Sequence, residues 1–177
     1  NLAHTLISEG EEVIVFDNLS RKGTEKNIRW LKDEHDDTFT FLKGDIRRYD
    51  EISAAMQNID VVYHTAGQVA VTTSVEDPRE DFEINALGTF NVLEAIRNSD
   101  CDPILLFTST NKVYGGMEDI AVVERNGRYE YRDCPEGVAE NRPLDFHSPY
   151  GCSKGTADQY VRDYSRIYNM KTIVFRM

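Results

Sequence analysis

The stretch EEVIVFDNLSRKG, residues 11–23, reads as a short strand followed by a tight polar turn. Val13 to Phe16 form an unbroken apolar run, which suits a strand buried on both faces of a parallel sheet. Asp17 closes the run, and Asp17-Asn18-Leu19-Ser20 has the composition of a turn. Similar runs recur at Phe39–Leu42, Val61–Tyr63, Ile104–Phe107 and Thr172–Phe175. Between them lie segments with helical spacing, one from Pro78 to Ile96 and one from Pro149 to Tyr168. Strand alternating with helix predicts a doubly wound α/β fold, a parallel sheet with helices on both faces. The stretch from Gly115 to Asp145 interrupts that order. It is charged, holds Gly, Pro and Asn, and predicts an irregular excursion at the carboxyl edge of the sheet, where ligands of such folds bind.

With 177 residues, 40% of them hydrophobic, the chain is long enough to bury a core. A net charge of -11 and the lack of a basic patch argue against a nucleic-acid partner. No apolar run reaches the length of a membrane span, and the first residues lack the order of a signal peptide. Three cysteines without paired spacing read as reduced thiols, so a cytoplasmic location is expected. The four histidines show no ligand spacing, so no metal site is expected.

The chemistry is read from a few positions. Tyr150 and Lys154 stand four apart on one helix face, behind Ser148 as cap and Pro149 in the first turn. Thr108-Ser109-Thr110 brings hydroxyls to the end of an upstream strand. A hydroxyl, a phenol and an ammonium are the parts that move a proton off an alcohol while a cofactor takes the hydride. A phenol titrates near 10, so a neutral-pH base must be lowered by roughly three pH units, about 4 kcal/mol. Lys154 is the nearby source of that shift. The bland alternative is a surface helix with an unremarkable tyrosine and lysine.

Asp17 is placed to accept hydrogen bonds from adenosine ribose hydroxyls and to repel a 2′-phosphate, which favours NAD over NADP. It would serve equally to start a turn. Asp45 ends the next strand and is a candidate for adenine or for an ordinary turn. Ala66-Gly67 permits close approach of a flat or charged ligand. Asn85 is a poor helix former that either satisfies a polar partner or simply faces solvent.

Taken in order, Val15 to Arg21, Gly44-Asp45-Ile46-Arg47, His64 to Val69, Asn85 with Gly88-Thr89, Ser109-Thr110 with Val113-Tyr114-Gly115, and Ser148-Pro149-Tyr150-Gly151 through Lys154 resemble the extended short-chain dehydrogenase/reductases that epimerise or dehydrate nucleotide sugars. The resemblance implies a Rossmann-type fold, bound NAD, a nucleotide-sugar substrate and a homo-oligomer, dimer or tetramer. It implies catalytic roles for Thr110, Tyr150 and Lys154. It assigns cofactor contacts to Asp17, Asn18, Ser20, Arg21, Asp45, Ile46, Ala66, Gly67, Asn85 and Ser109, and to Tyr150 and Lys154 as well. Residues 109–115 and 145–155 look most like the branch of 2-epimerases that act on CDP-linked sugars. Epimerisation at C4 of a UDP-sugar, or a non-catalytic dinucleotide-binding module, are the other readings. The dehydratases of the family carry Asp-Glu after the threonine; Asn111-Lys112 stands there instead and argues against elimination.

The family also opens with a strand and a Gly-x-x-Gly-x-x-Gly turn, and ends in a sugar-nucleotide domain. Neither is found in residues 1–177, which are expected to be a partial NAD-binding domain from the middle of a longer protein, with an unfilled slot in the sheet. Such a piece is expected neither to hold NAD tightly nor to turn over.

Overall fold

The computed structural model describes residues 1–36 and 38–177. Helix α1 (Leu2–Ser8) leads to β1 (Ile14–Asp17), α2 (Thr24–His35), β2 (Thr40–Lys43), α3 (Tyr49–Ala55) and β3 (Val61–His64). After α4 (Val71–Glu76) comes α5 (Pro78–Phe82), then a π-helical turn over Glu83–Leu87 and α6 (Gly88–Arg97). The chain continues with β4 (Ile104–Thr108), a 3-10 turn over Asn111–Tyr114, β5 (Val122–Arg125), β6 (Arg128–Tyr131), α7 (Pro149–Tyr168) and β7 (Thr172–Phe175).

The five apolar runs are all strands, and they pair in parallel as the alternation predicts. β1 lies beside β2, with Val15 opposite Phe41, and β4 sits between β3 and β7, with Leu105 opposite Val62 and Thr172. These are two separate ladders, β1-β2 and β3-β4-β7. Side-chain packing joins them. Ile46, Ile52 and Met56 from the β2–α3 side share one core with Val92, Leu93 and Ile96 of α6, Leu105 and Phe107 of β4, and Ala157, Val161 and Tyr164 of α7. By leaving water, each of the larger aliphatic and aromatic side chains contributes roughly 1.5–3 kcal/mol.

In β3, β4 and β7 the alternation of side chains divides sharply. Val62, Leu105, Phe107 and Val174 turn toward the helices, whereas Val61, Tyr63, Ile104, Ile173 and Phe175 remain exposed on the opposite face. Helices on both faces were expected; among the described residues this ladder carries its helical cover on one.

Two other expectations need correction. The Pro78–Ile96 pattern is not one α-helix, because the π-helical turn inserts between α5 and α6 and swings Asn85 inward. The excursion is not wholly irregular: β5 and β6 form an antiparallel hairpin closed by Asn126 and Gly127, both at positive φ. The Asn-Gly pair was the legible signal. α7 runs over the predicted residues, starting where the Ser148 Oγ accepts from the Gly151 N–H at 3.0 Å and stopping at Asn169, which is left-handed.

Candidate active site

The carboxyl ends of β3 and β4 open into a cleft of about 240 Å³ lined by Thr65, Gly67, Gln68, Val69, Thr108, Ser109, Thr110, Tyr150, Lys154 and Met177. Parallel strands deliver their C-terminal loops to one edge, and that is why residues so distant in sequence meet here. Thr110 caps the 3-10 turn, its Oγ1 accepting from the Lys112 N–H at 3.2 Å. The hydroxyl proton is thereby left free to donate into the cleft. Tyr150 is held in the first turn of α7, its backbone N–H donating to the Ser74 Oγ at 3.1 Å, and Ser74 is wholly buried. Tyr150 forms part of the cleft wall.

One turn on, Lys154 is 5% exposed. One of its N–H bonds goes to the Thr108 carbonyl at 2.6 Å, and its Nζ lies 4.3 Å from the centre of the Phe107 ring. Burial lowers its pKa to about 8, with Asp158 and then Asp81 opposing the shift. Lys154 and Tyr150 line the same cleft one helical turn apart on α7.

Beneath the cleft, His64 donates from Nε2 to the Thr89 Oγ1 at 2.9 Å, because the Thr89 proton is committed to the Asn85 carbonyl at 2.7 Å. Asn85 is buried, which settles against solvent exposure: its Oδ1 accepts from the Gln68 N–H at 3.0 Å and its Nδ2 donates to the Gln68 carbonyl at 3.1 Å. The carboxamide thus clamps the turn that carries Ala66 and Gly67, both exposed. A Cβ on Gly67 would come within 2.9 Å of Asn85 Oδ1 and 3.9 Å of Lys154 Nζ, so this glycine keeps the floor of the cleft open.

The remaining cofactor candidates gather at the ends of β1 and β2. Asp17 Oδ1 accepts from the Leu19 N–H at 2.6 Å, making the expected turn, while its other oxygen meets no donor among the described residues. Asn18 Oδ1 accepts from the Ser20 N–H, and its Nδ2 donates to Asp45 Oδ2 at 3.0 Å. Ser20 and Arg21 are exposed. Asp45 is gripped by Arg47, whose Nη2 lies 2.6 Å from Oδ2; that hydrogen bond chiefly drives its pKa well below the usual range. Ile46 is a core side chain, and only its backbone is available to a ligand at that corner. Ser109 donates its hydroxyl to Asp158 at 2.8 Å rather than holding it free.

That last bond exposes a network the sequence reading missed. Asp158 is fully buried and takes Arg176 Nε and Nη2, each at 2.8 Å. Arg176 Nη1 also donates to the Tyr114 hydroxyl at 3.0 Å and the Glu140 carbonyl at 3.3 Å. One ion pair therefore ties α7, the end of β7, the Thr110 turn and the excursion together. The available signal was an aspartate on the apolar stripe of α7, four residues after Lys154.

A threonine, a tyrosine and a lysine line one cleft at the carboxyl edge of parallel strands in a Rossmann-type α/β fold. The chain belongs to the family whose model is described as GDP-mannose 4,6 dehydratase, matched over residues 1–177. It is 49% identical over 180 residues to the CDP-paratose 2-epimerase of Salmonella typhi, covering 99% of this chain and 52% of that protein. It is 32% identical over 177 residues to a putative UDP-glucose 4-epimerase of Methanocaldococcus jannaschii, covering 99% and 50%. Among solved structures, the UDP-glucose 4-epimerase of Thermus thermophilus in complex with NAD matches with a TM-score of 0.74 and 30% identity, over 98% of this chain and 50% of that one. The chain spans about half the length of the curated relatives it matches.

Proposed function

We propose that the protein is an NAD-dependent nucleotide-sugar epimerase that interconverts CDP-paratose and CDP-tyvelose by inversion at C2. The observation that carries this is the convergence of Thr110, Tyr150 and Lys154 on one cleft. The likeness to a CDP-paratose 2-epimerase supports the choice of substrate. The absence of a carboxyl group at Asn111 and Lys112 counts against elimination of water.

The residues fit NAD. Asp17 keeps one carboxylate oxygen for a ribose hydroxyl, the Ile46 backbone would meet the adenine beside an Asp45 carboxylate already held by Arg47 and Asn18, and Gly67 leaves room beside Lys154. Asn18, Ser20 and Arg21 would complete the adenosine end, and Ala66, Asn85 and Ser109 the walls. When bound, NAD supplies the acceptor and then the donor of the sugar hydride. Tyr150, as phenolate, takes the C2 hydroxyl proton with Thr110 hydrogen-bonded to the same oxygen; Lys154 stabilises the phenolate and holds a ribose hydroxyl. The 2-keto sugar then turns its other face, and the phenol returns the proton as the C2–H bond re-forms with inverted configuration.

The test is CDP-paratose in D2O with the protein at the full length of its curated relatives, followed by proton NMR. CDP-tyvelose retaining protium at C2 is expected. No conversion, or deuterium at C2, overturns the reading. Conversion of UDP-glucose in its place would favour the C4 alternative, which the 32% identical relative supports.

The assembly proposed is a homo-oligomer, dimer or tetramer, built on the outer face of α6 and α7. Phe90, Tyr160, Tyr164 and Tyr168 stack edge-on there around Glu94 and Arg97, leaving Tyr160 and Tyr168 exposed. Three free thiols fit the cytoplasm as the compartment.

A further inference from the structure

Asp81 enters none of the roles above. It lies on α5, which packs on α7, and it is 1% exposed. Its Oδ1 accepts from Asn85 Nδ2 at 3.1 Å, while Oδ2 has no hydrogen-bond partner, alone among the buried side-chain atoms of the described residues. A carboxyl group buried in that state costs folding free energy unless something nearby needs it. The other buried acid near Lys154, Asp158, is already matched by Arg176. Asp81 has no cation in contact, but Asn85 bridges it toward Lys154: its Nδ2 donates to Asp81, while its Oδ1 and the Lys154 Nζ border one position, 2.9 and 3.9 Å from a Cβ on Gly67.

We infer that Asp81 is a positioning residue of this site, a buried counter-charge that helps keep the Lys154 ammonium charged and fixes the Asn85 carboxamide in one orientation. The second role follows from geometry. Were the Asn85 amide reversed, its oxygen would face the Asp81 carboxylate and the Gln68 carbonyl, and its NH2 would face the Gln68 N–H. Asp81 therefore selects the orientation that clamps the Gly67–Gln68 turn under the cleft.

The first role follows from charge. Burial raises the Asp81 pKa, and the nearby Ser153 hydroxyl, the Asn85 amide and Lys154 pull it down. Reciprocally, Asp158 and Asp81 hold up the Lys154 pKa against burial. The charged or titratable groups acting on Lys154 are Asp158 on its own helix, Asp81 on α5 and His64 on β3, the last neutral because burial, then Lys154, lowers its pKa to about 3; Tyr150 shares its cleft. Asp81 acts on the phenol only through the lysine.

The claim of a role in the reaction rests on the proposed function, but its test does not. Asp81→Asn preserves the acceptor for Asn85 and removes the charge. In protein labelled with 15N-lysine, the Lys154 ammonium of this variant is expected to titrate about one pH unit lower than in the wild type. The alkaline limb of kcat/KM is expected to move down equally. An unchanged Lys154 titration in a variant of wild-type melting temperature overturns the proposal, whatever the substrate proves to be. Should Asp81→Asn fail to fold, Lys154→Met reads the same coupling from the other side, since the coupling is reciprocal. The Asp81 carboxyl, followed by 13C, is then expected to titrate higher, and no change overturns the proposal.

Discussion

Tyr150 owes its place to neighbours as much as to its helix: the cap at Ser148 sets the first turn and the buried Ser74 hydroxyl receives its N–H. Neither contact involves the phenol oxygen, so Tyr150→Phe should leave the cleft intact. Turnover is expected to fall by about 10²–10⁴-fold while NAD affinity is kept, measured by steady-state rates alongside calorimetric titration of the cofactor. Loss of NAD binding would show instead that the ring is a structural prop. The pair Tyr150 and Lys154 was legible because its spacing is local. Ser74, 76 residues from Tyr150, was not, because nothing in a serine on a short helix announces a partner that distant. Asp158 and Arg176 were invisible for the same reason, each being an ordinary charged residue until the fold buries both.

The five strands and α7 could be read from their residues because apolar runs and a capped amphipathic stripe are short-range patterns. The π-helical turn could not. Its signature is a shift of one residue in the helical phase, and its cause is the tertiary demand that Asn85 reach Gln68. The excursion is pinned at its neck, where the Asp145 N–H donates to the Val113 carbonyl at 3.0 Å and Gly115 (φ 68) lies against the Asp145 backbone. A Cβ has no room there and the conformation is close to glycine-only. Gly115→Ala is expected to cost about 1–3 kcal/mol and to loosen the excursion. Limited proteolysis should then cut within residues 116–144 faster than in the wild type; an unchanged rate would mean that Arg176 and Glu140 hold the excursion unaided.

For the whole molecule, acid sensitivity should begin above the carboxylate range. The His64 pKa falls from 6.5 to about 3 on folding, chiefly by burial, so below pH 6.5 the unfolded chain binds a proton that the folded one refuses. The stability due to this group is present above pH 6.5 and declines as pH falls toward about 3. His64→Gln keeps an N–H to offer Thr89 and cannot titrate. Its melting temperature should fall less than the wild type's between pH 6.5 and about 5, and equal slopes would exclude His64 as the source. The division of the strands into two ladders has a different consequence. Asp17 and Asp45 stand on one hydrogen-bonded body and Thr110 and Lys154 on another, linked by packing and by the Asn91 Nδ2 bond to the Ile46 carbonyl at 2.9 Å. Among the described residues the two are joined by the side chains of a shared core and by no backbone ladder. A ligand long enough to touch both would act as a tie-bar, and amide exchange in β2 and β7, one strand from each ladder, should slow together when it binds.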